Sequence, residues 1–201
     1  MDWLKDFDER IHEDRVWYDK SLYEEKMWVK YEPIVLSTPE IEISETRYLE
    51  IQEAQVRLAE VKVKEYNRDP KDMEKRWGTG LGGECAVEKV VGREFVDFSV
   101  GRSFDYCYPD LQSLGYRVGV KTSSWGSFPL IKTTENTDQI IVIKKSDRVY
   151  HVLGILRTPI LQESFDKRLV RNSTNHFKSG FFRFDLLEPI YDALQRSKME
   201  T

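Results

Sequence analysis

Hydrophobic periodicity changes along this chain at Glu94, and that change constrains the fold more than any other feature. Before it, apolar residues recur at helical spacing; after it, they alternate. Side chains share a face every 3.6 residues on a helix and every two on a strand, so the two halves demand different elements. A helical first half followed by strands and then by further helical spacing predicts an α/β protein, with a central mixed β-sheet flanked by helices.

The helical half divides further. Residues 1–32 are rich in aromatic and charged side chains, including Trp3, Phe7, Trp17, Tyr18, Tyr23, Trp28 and Tyr31. Their spacing predicts one or two short helices docked on the main body through aromatics. A base-stacking platform is disfavoured, because the interleaved acids would repel a nucleic-acid strand. Two prolines bracket a β-favouring trio in Ile34–Pro39, which reads as an extended connection. Ser44 then offers an N-cap, and Tyr48, Leu49, Ile51, Val56, Leu58, Ala59 and Val61 continue at helical spacing to about Tyr66. Asn67-Arg68-Asp69-Pro70 interrupts that run, and a short helix through Trp77 follows. Residues 1–77 are therefore expected to form a helical extension packed on a core of residues 78–201.

The glycine cluster Gly78-Thr79-Gly80-Leu81-Gly82-Gly83 has no Gly-Lys-Ser/Thr ending and no strand before it, which excludes a nucleotide-binding loop. It reads instead as a flexible lead into a helix over Glu84–Val91 that ends at Gly92. Beyond Glu94, strands are expected over 95–100, 103–107, 116–122, 139–144 and 148–156. Leu161–Val170 and Leu186–Arg196 read as closing helices.

Composition narrows the function classes. The 201 residues suffice for one well-buried core. No apolar run approaches the roughly 20 residues that span a bilayer, so a membrane role is not expected. Two cysteines, Cys85 and Cys107, make neither a disulfide framework nor a zinc pattern, which points to a reducing cytoplasm. His12, His151 and His176 are too scattered for a metal cluster. The net charge of −4 argues against a strong nonspecific nucleic-acid binder. That acidity is uneven, however: residues 1–80 hold 20 acidic and 14 basic side chains, the remainder 15 and 17. The C-terminal part can still meet phosphates.

The chemistry is concentrated in Tyr108–Ser123, YPDLQSLGYRVGVKTS. An acid follows a proline at Pro109-Asp110, Gly115 supplies a turn, and the β-branched run Val118-Gly119-Val120 ends in Lys121. An Asp at one end of a hairpin and a Lys on its second strand can converge on one metal-bound water. That is the arrangement phosphodiester hydrolysis needs, with a divalent cation activating water and a lysine steadying charge on the reacting oxygens. Upstream, Glu84 and Glu88 are four residues apart and share one helical face.

The order of helix with Glu, strand, strand ending in Asp, hairpin and strand with Lys resembles the core of the PD-(D/E)xK nuclease superfamily. Its members include restriction enzymes, phage exonucleases and resolvases. The resemblance covers about residues 78–156 and is best from Asp110 to Ser123. It implies a restriction endonuclease-like core in which Asp110 ligates Mg²⁺ or Mn²⁺ and Lys121 is the catalytic lysine. Glu84 would be the helix acid, with Glu88 the competing choice. Gly119 departs from the pattern, since it stands where the superfamily places a second acid. Glu84, Glu88 or Asp105, on the adjacent strand region, would have to replace it.

Around that site, Ser123 and the loop after it could contact a phosphate and Trp125 could stack on a base, or the loop is an ordinary polar one with an anchoring aromatic. Gln139, at the start of the fourth strand, is a further candidate facing the substrate. Lys167, Arg168, Arg171, Lys178 and Arg183 form the most basic stretch, suited to a duplex backbone or to a solvated face.

The resemblance implies a metal-dependent deoxyribonuclease, phage-encoded and acting in the host cytoplasm, with DNA as partner and a homo-oligomer allowed. The alternative is a catalytically inactive nuclease-fold protein that binds DNA or serves in assembly. In a third reading, the acidic helical N-terminal part is itself an interaction surface.

Overall fold

The computed structural model describes residues 20–66, 69–99, 109–129, 131–132, 135–163, 171–172, 178–180 and 184–199. In chain order the elements are α1 (Lys20–Leu36), β1 (Glu40–Glu42), α2 (Glu45–Tyr66), α3 (Pro70–Val91), β2 (Val118–Ser124) and β3 (Ile131–Lys132). After them come β4 (Asp138–Lys144), β5 (Val149–Leu156), α4 (Thr158–Glu163), β6 (Arg171–Asn172), β7 (Lys178–Gly180) and α5 (Ile190–Met199). The main sheet has the order β1-β5-β4-β2. Strand β2 runs parallel to β4, while β4–β5 and β1–β5 are antiparallel. The expected α/β architecture, a mixed sheet with flanking helices, is present, and the main sheet has four strands among the described residues. A small second sheet joins β3, β7 and β6.

Strand β4 shows why the sheet is covered on both sides. Its run Ile140-Ile141-Val142-Ile143 is fully buried, and alternate residues enter different cores. Ile140 and Val142 pack with Ile51, Leu58, Leu81, Cys85, Ala86 and Val120, on the side of α2 and α3. Ile141 and Ile143 pack with Trp28, Tyr31, Val35, Phe128 and Phe184, on the side of α1. The aromatics of α1 are therefore anchors. Trp28 meets Phe128 and Trp125 edge-on, with centroids 5.9 and 5.2 Å apart.

Three expectations need correction. Residues 33–36 are helical, with Pro33 inside α1, so Ile34–Pro39 is not an extended connection throughout. A proline inside a helix costs about 3 kcal/mol, and burial of Tyr31 and Val35 on either side of it offsets that cost. Phe95–Ser99 is not a strand, because the N–H groups of Phe95 and Val96 donate to Glu88 Oε1 instead of to a neighbouring strand. The expected strand over 103–107 lies outside the described residues. The third correction is the largest: Gly78–Gly83 is not a flexible lead but the middle of α3, a single 22-residue helix. Asp69 caps it, accepting from Lys71 N at 2.8 Å, and Gly92 ends it in the left-handed conformation at φ 69°. The helix runs unbroken across positions 77 and 78.

Packing explains the glycines. A Cβ at Gly83 would lie 1.8 Å from Thr122 Oγ1 and 2.8 Å from Thr122 Cβ on β2. A Cβ at Gly82 would lie 1.9 Å from Tyr150 Oη on β5, and one at Gly78 1.9 Å from Gln55 Oε1 on α2. These glycines let α3 sit directly on the sheet and on α2. A Cβ at Gly80 would meet nothing within 4 Å, so that glycine performs no such role. Gly83→Ala is expected to destabilise the protein by about 1–3 kcal/mol through overpacking. Gly80→Ala should stabilise it by about 0.5–1 kcal/mol through helix propensity alone. Urea unfolding of the two variants against wild type measures both signs.

Candidate active site

The site forms where α3 meets the outer edge of β2, the last strand of the sheet. A bare edge leaves N–H and C=O groups unpaired, and the segment before β2 turns back to cover it. Leu111 N–H donates to Val118 O at 3.0 Å, and the Asp110 carboxylate accepts from Val120 N–H. Gly115, at φ 84°, closes the intervening turn and donates to Gln112 O. The turn expected at Gly115 is thus present, with Asp110 held beside β2 by the backbone of the strand that bears Lys121, while the first strand expected of a hairpin lies outside the described residues.

Glu84 comes to the same place from α3. Its carboxyl is surrounded by protein, although the residue keeps a partial opening to solvent. Burial pushes Glu84 well above the usual carboxylate range; the nearby Asp110 charge and, more weakly, Glu88 push the same way, while Lys121 opposes them. Burial also raises Asp110, against the Val120 N–H bond and the Lys121 charge, with Glu135 adding a like charge. Two buried acids near one lysine, each disfavouring the other's ionisation, are poised to share a proton or a cation.

The structure therefore brings Glu84, Asp110 and Lys121 together and separates Glu88 from them. Glu88 is engaged by other partners. Its Oε1 accepts from Phe95 N–H at 2.6 Å and Val96 N–H at 2.7 Å, and its Oε2 lies 3.1 Å from Arg47 Nη2. Adjacent turns of α3 thus present one acid to β2 and another to the chain that leaves the helix. Asp105 lies outside the described residues. So do Lys167, Arg168 and Arg183, and the side chains of Arg171 and Lys178 are likewise not described.

The substrate-facing candidates are also engaged. Ser123 Oγ donates to Ser127 O at 2.9 Å, closing the turn after β2 rather than presenting a hydroxyl to a phosphate. Trp125 packs on Trp28 and against His151, with centroids 5.2 and 5.8 Å apart, and its backbone N–H donates to Lys144 O at 2.8 Å. Trp125 is the anchoring aromatic, not a free stacking platform. Gln139 is buried directly opposite Gly119 in the β2–β4 register.

Two participants escaped the sequence reading. Glu135 acts on Asp110 from the loop before β4. Thr137 links Glu135 to Gln139, donating to Glu135 Oε1 at 2.7 Å and accepting from Gln139 Nε2 at 2.7 Å. An acid and a hydroxyl two residues apart ahead of a buried strand were the only signal, and polar loops commonly show one. Among the described residues no three His, Cys, Asp or Glu side chains gather closely enough to hold a metal ion. Glu84 and Asp110 are the acidic pair, and the buried Gln139 Oε1 on β4 has no hydrogen-bond partner. Carboxylate oxygens suit Mg²⁺ or Mn²⁺, which keep several waters.

No protein-family model, curated protein or solved structure matches the chain.

Glu84 and Glu88 make opposite predictions. A carboxyl raised on folding contributes stability while it is protonated, below its unfolded value, and loses that contribution as pH rises through its folded value. In metal-free buffer, Glu84→Gln should therefore gain stability over wild type at pH 8, and the gain should shrink towards pH 4; chemical denaturation at the two pH values reads it. Glu88→Ala strips two amides and Arg47 of their partner and should cost about 3 kcal/mol at neutral pH, measured by the same method.

Proposed function

We propose that this protein is a metal-dependent nuclease of the PD-(D/E)xK type that hydrolyses DNA phosphodiester bonds. The observation that supports this reading is the mutual electrostatic influence of Glu84, Asp110 and Lys121, from three separate segments, beside one strand. A structural role alone gives no reason to set two buried acids against each other beside a lysine. Each would be cheaper as a neutral side chain.

Glu84 and Asp110 would hold a divalent cation, whose charge favours ionisation of both. The bound cation supplies water activation and charge stabilisation at the phosphate. Asp110 is oriented by the Val120 N–H, which donates to its Oδ2. Lys121, one residue further along β2, exerts its charge on both acids and would offset charge growing on the phosphoryl oxygens. In the reaction a water oxygen bonds to phosphorus, the bond to the leaving oxygen breaks, and a proton is delivered to that oxygen. The net charge is only mildly negative, and the acidic excess lies before residue 80 in the sequence.

A non-catalytic protein with the same sheet would bind DNA without regard to metal. Lys121→Ala is expected to abolish cleavage of DNA in Mg²⁺ or Mn²⁺ while leaving the unfolding midpoint nearly unchanged. Asp110→Asn keeps an acceptor for Val120 N–H but removes the charge, and calorimetric titration with Mn²⁺ should show binding lost. Undiminished cleavage by the lysine variant would refute the assignment.

A further inference from the structure

Where the start of α2 meets the end of α3, a cavity of about 380 Å³ opens to the surface. Its size falls within the roughly 300–1,000 Å³ that small-molecule sites occupy. The buried Ile43 and Cys85 give it an apolar lining. Burial pushes the Cys85 thiol up to about 12, so that lining is uncharged at neutral pH. Ser44, which caps α2 by accepting from Arg47 N–H at 3.2 Å, lines one side, and Gly92, at the end of α3, lines another. The two helix ends carry opposite partial charges that offset each other. Side chains therefore set the sign of the cavity.

Three cations stand around it: Arg47, Lys89 and Arg93. Lys89 donates to Glu42 O at 2.7 Å, a neutral acceptor, and among the described residues neither Lys89 nor Arg93 pairs with a carboxylate. Two acids line the cavity as well, and their situations differ. Glu88 is buried and held by two backbone N–H groups as well as by Arg47. Glu94 is 86% exposed, and its Oε1 lies 3.2 Å from the same Arg47 nitrogen that Glu88 meets. A pair so open to solvent is weak, so an incoming anion can take the place of Glu94 on Arg47. That exchange leaves three cations against Glu88 alone, a surplus of two positive charges (3 − 1 = 2) beside an apolar lining.

We propose that this cavity binds a small organic phosphate, with the dianionic phosphate group among Arg47, Lys89 and Arg93 and the apolar part of the ligand against Ile43 and Cys85. A phosphate monoester presents oxygens in several directions and suits donors that arrive from both helices; a carboxylate presents two oxygens in one plane. Its double charge matches the surplus, and an organic moiety is needed to cover lining that inorganic phosphate would leave wet. Glu84, Asp110 and Lys121 are not part of this cavity. The site is thus distinct from the acidic pair, and the inference stands whether or not the protein cleaves DNA.

The test is calorimetric titration with phenyl phosphate, an apolar ring on a phosphate monoester, with phenol and inorganic phosphate as the two halves of that ligand. EDTA is present throughout, so no divalent cation at the acidic pair contributes. Wild type should bind phenyl phosphate more tightly than inorganic phosphate and should not bind phenol. The double variant Lys89→Gln/Arg93→Gln, at two exposed positions, should weaken binding at least about tenfold. Glu94→Gln removes the competitor for Arg47 and should bind severalfold more tightly, a gain that misfolding does not produce. Absence of phenyl phosphate binding by wild type overturns the proposal, as does equal binding by the lysine–arginine double variant or weaker binding by Glu94→Gln. Inorganic phosphate that binds as tightly as phenyl phosphate overturns the organic part of the ligand.

Discussion

The close approach of α3 to the sheet is the constraint on which the rest of the structure depends. Gly82 and Gly83 remove the side chains that would hold the helix away from Tyr150 and Thr122, and Gly78 does the same against Gln55 of α2. One core then joins Leu81, Cys85 and Ala86 to Val118, Val120, Ile140 and Val142. Packing at that distance also excludes water from the seam. The Cys85 thiol is pushed up to about 12 by burial first and by Glu88 next, as expected for an inert, buried sulfur. Several glycines in a helix cost about 1 kcal/mol each relative to alanine, and the apolar surface buried by the closer contact offsets that cost.

The same approach creates the site. Glu84 immediately follows the glycine that touches Thr122, so the acid is delivered to β2 by the contact itself. One helical turn later, Glu88 faces the departing chain and ties down Phe95, Val96 and Arg47. Two acids of the same type on one helix thus have different work, divided by what lies opposite each. One faces an edge strand covered by an acid and bearing a lysine; the other faces amide donors and a guanidinium.

Gly119 is the departure from the resembled pattern, and its environment is ordered rather than vacant. The cross-strand partner fills the space and turns an oxygen towards it, held by Thr137 from behind. Loss of a side chain on one strand and placement of an amide on the next are one structural event, since either alone would leave a void or a clash. Further along the same face of the sheet, Trp28, Phe128 and Phe184 pack around Ile141 and Ile143 of β4, with Trp125 beside them.

The sequence by itself determined the order of the main elements. Helical spacing marked α2, the uninterrupted apolar run marked β4 as a central strand, and Gly115 marked the turn that leads into β2. These signals are local: caps, turns and periodicity act within a few residues of themselves. Tertiary structure alone decided the continuity of α3, because helix propensity sees the cost of Gly78–Gly83 and not the contacts they permit. It decided between Glu84 and Glu88, which are equivalent by spacing and differ only in what they face. It also decided the role of Gln139, since the atom that occupies the empty place beside Gly119 comes from a strand 20 residues away in sequence, at a register set by sheet pairing. No local pattern encodes that neighbour.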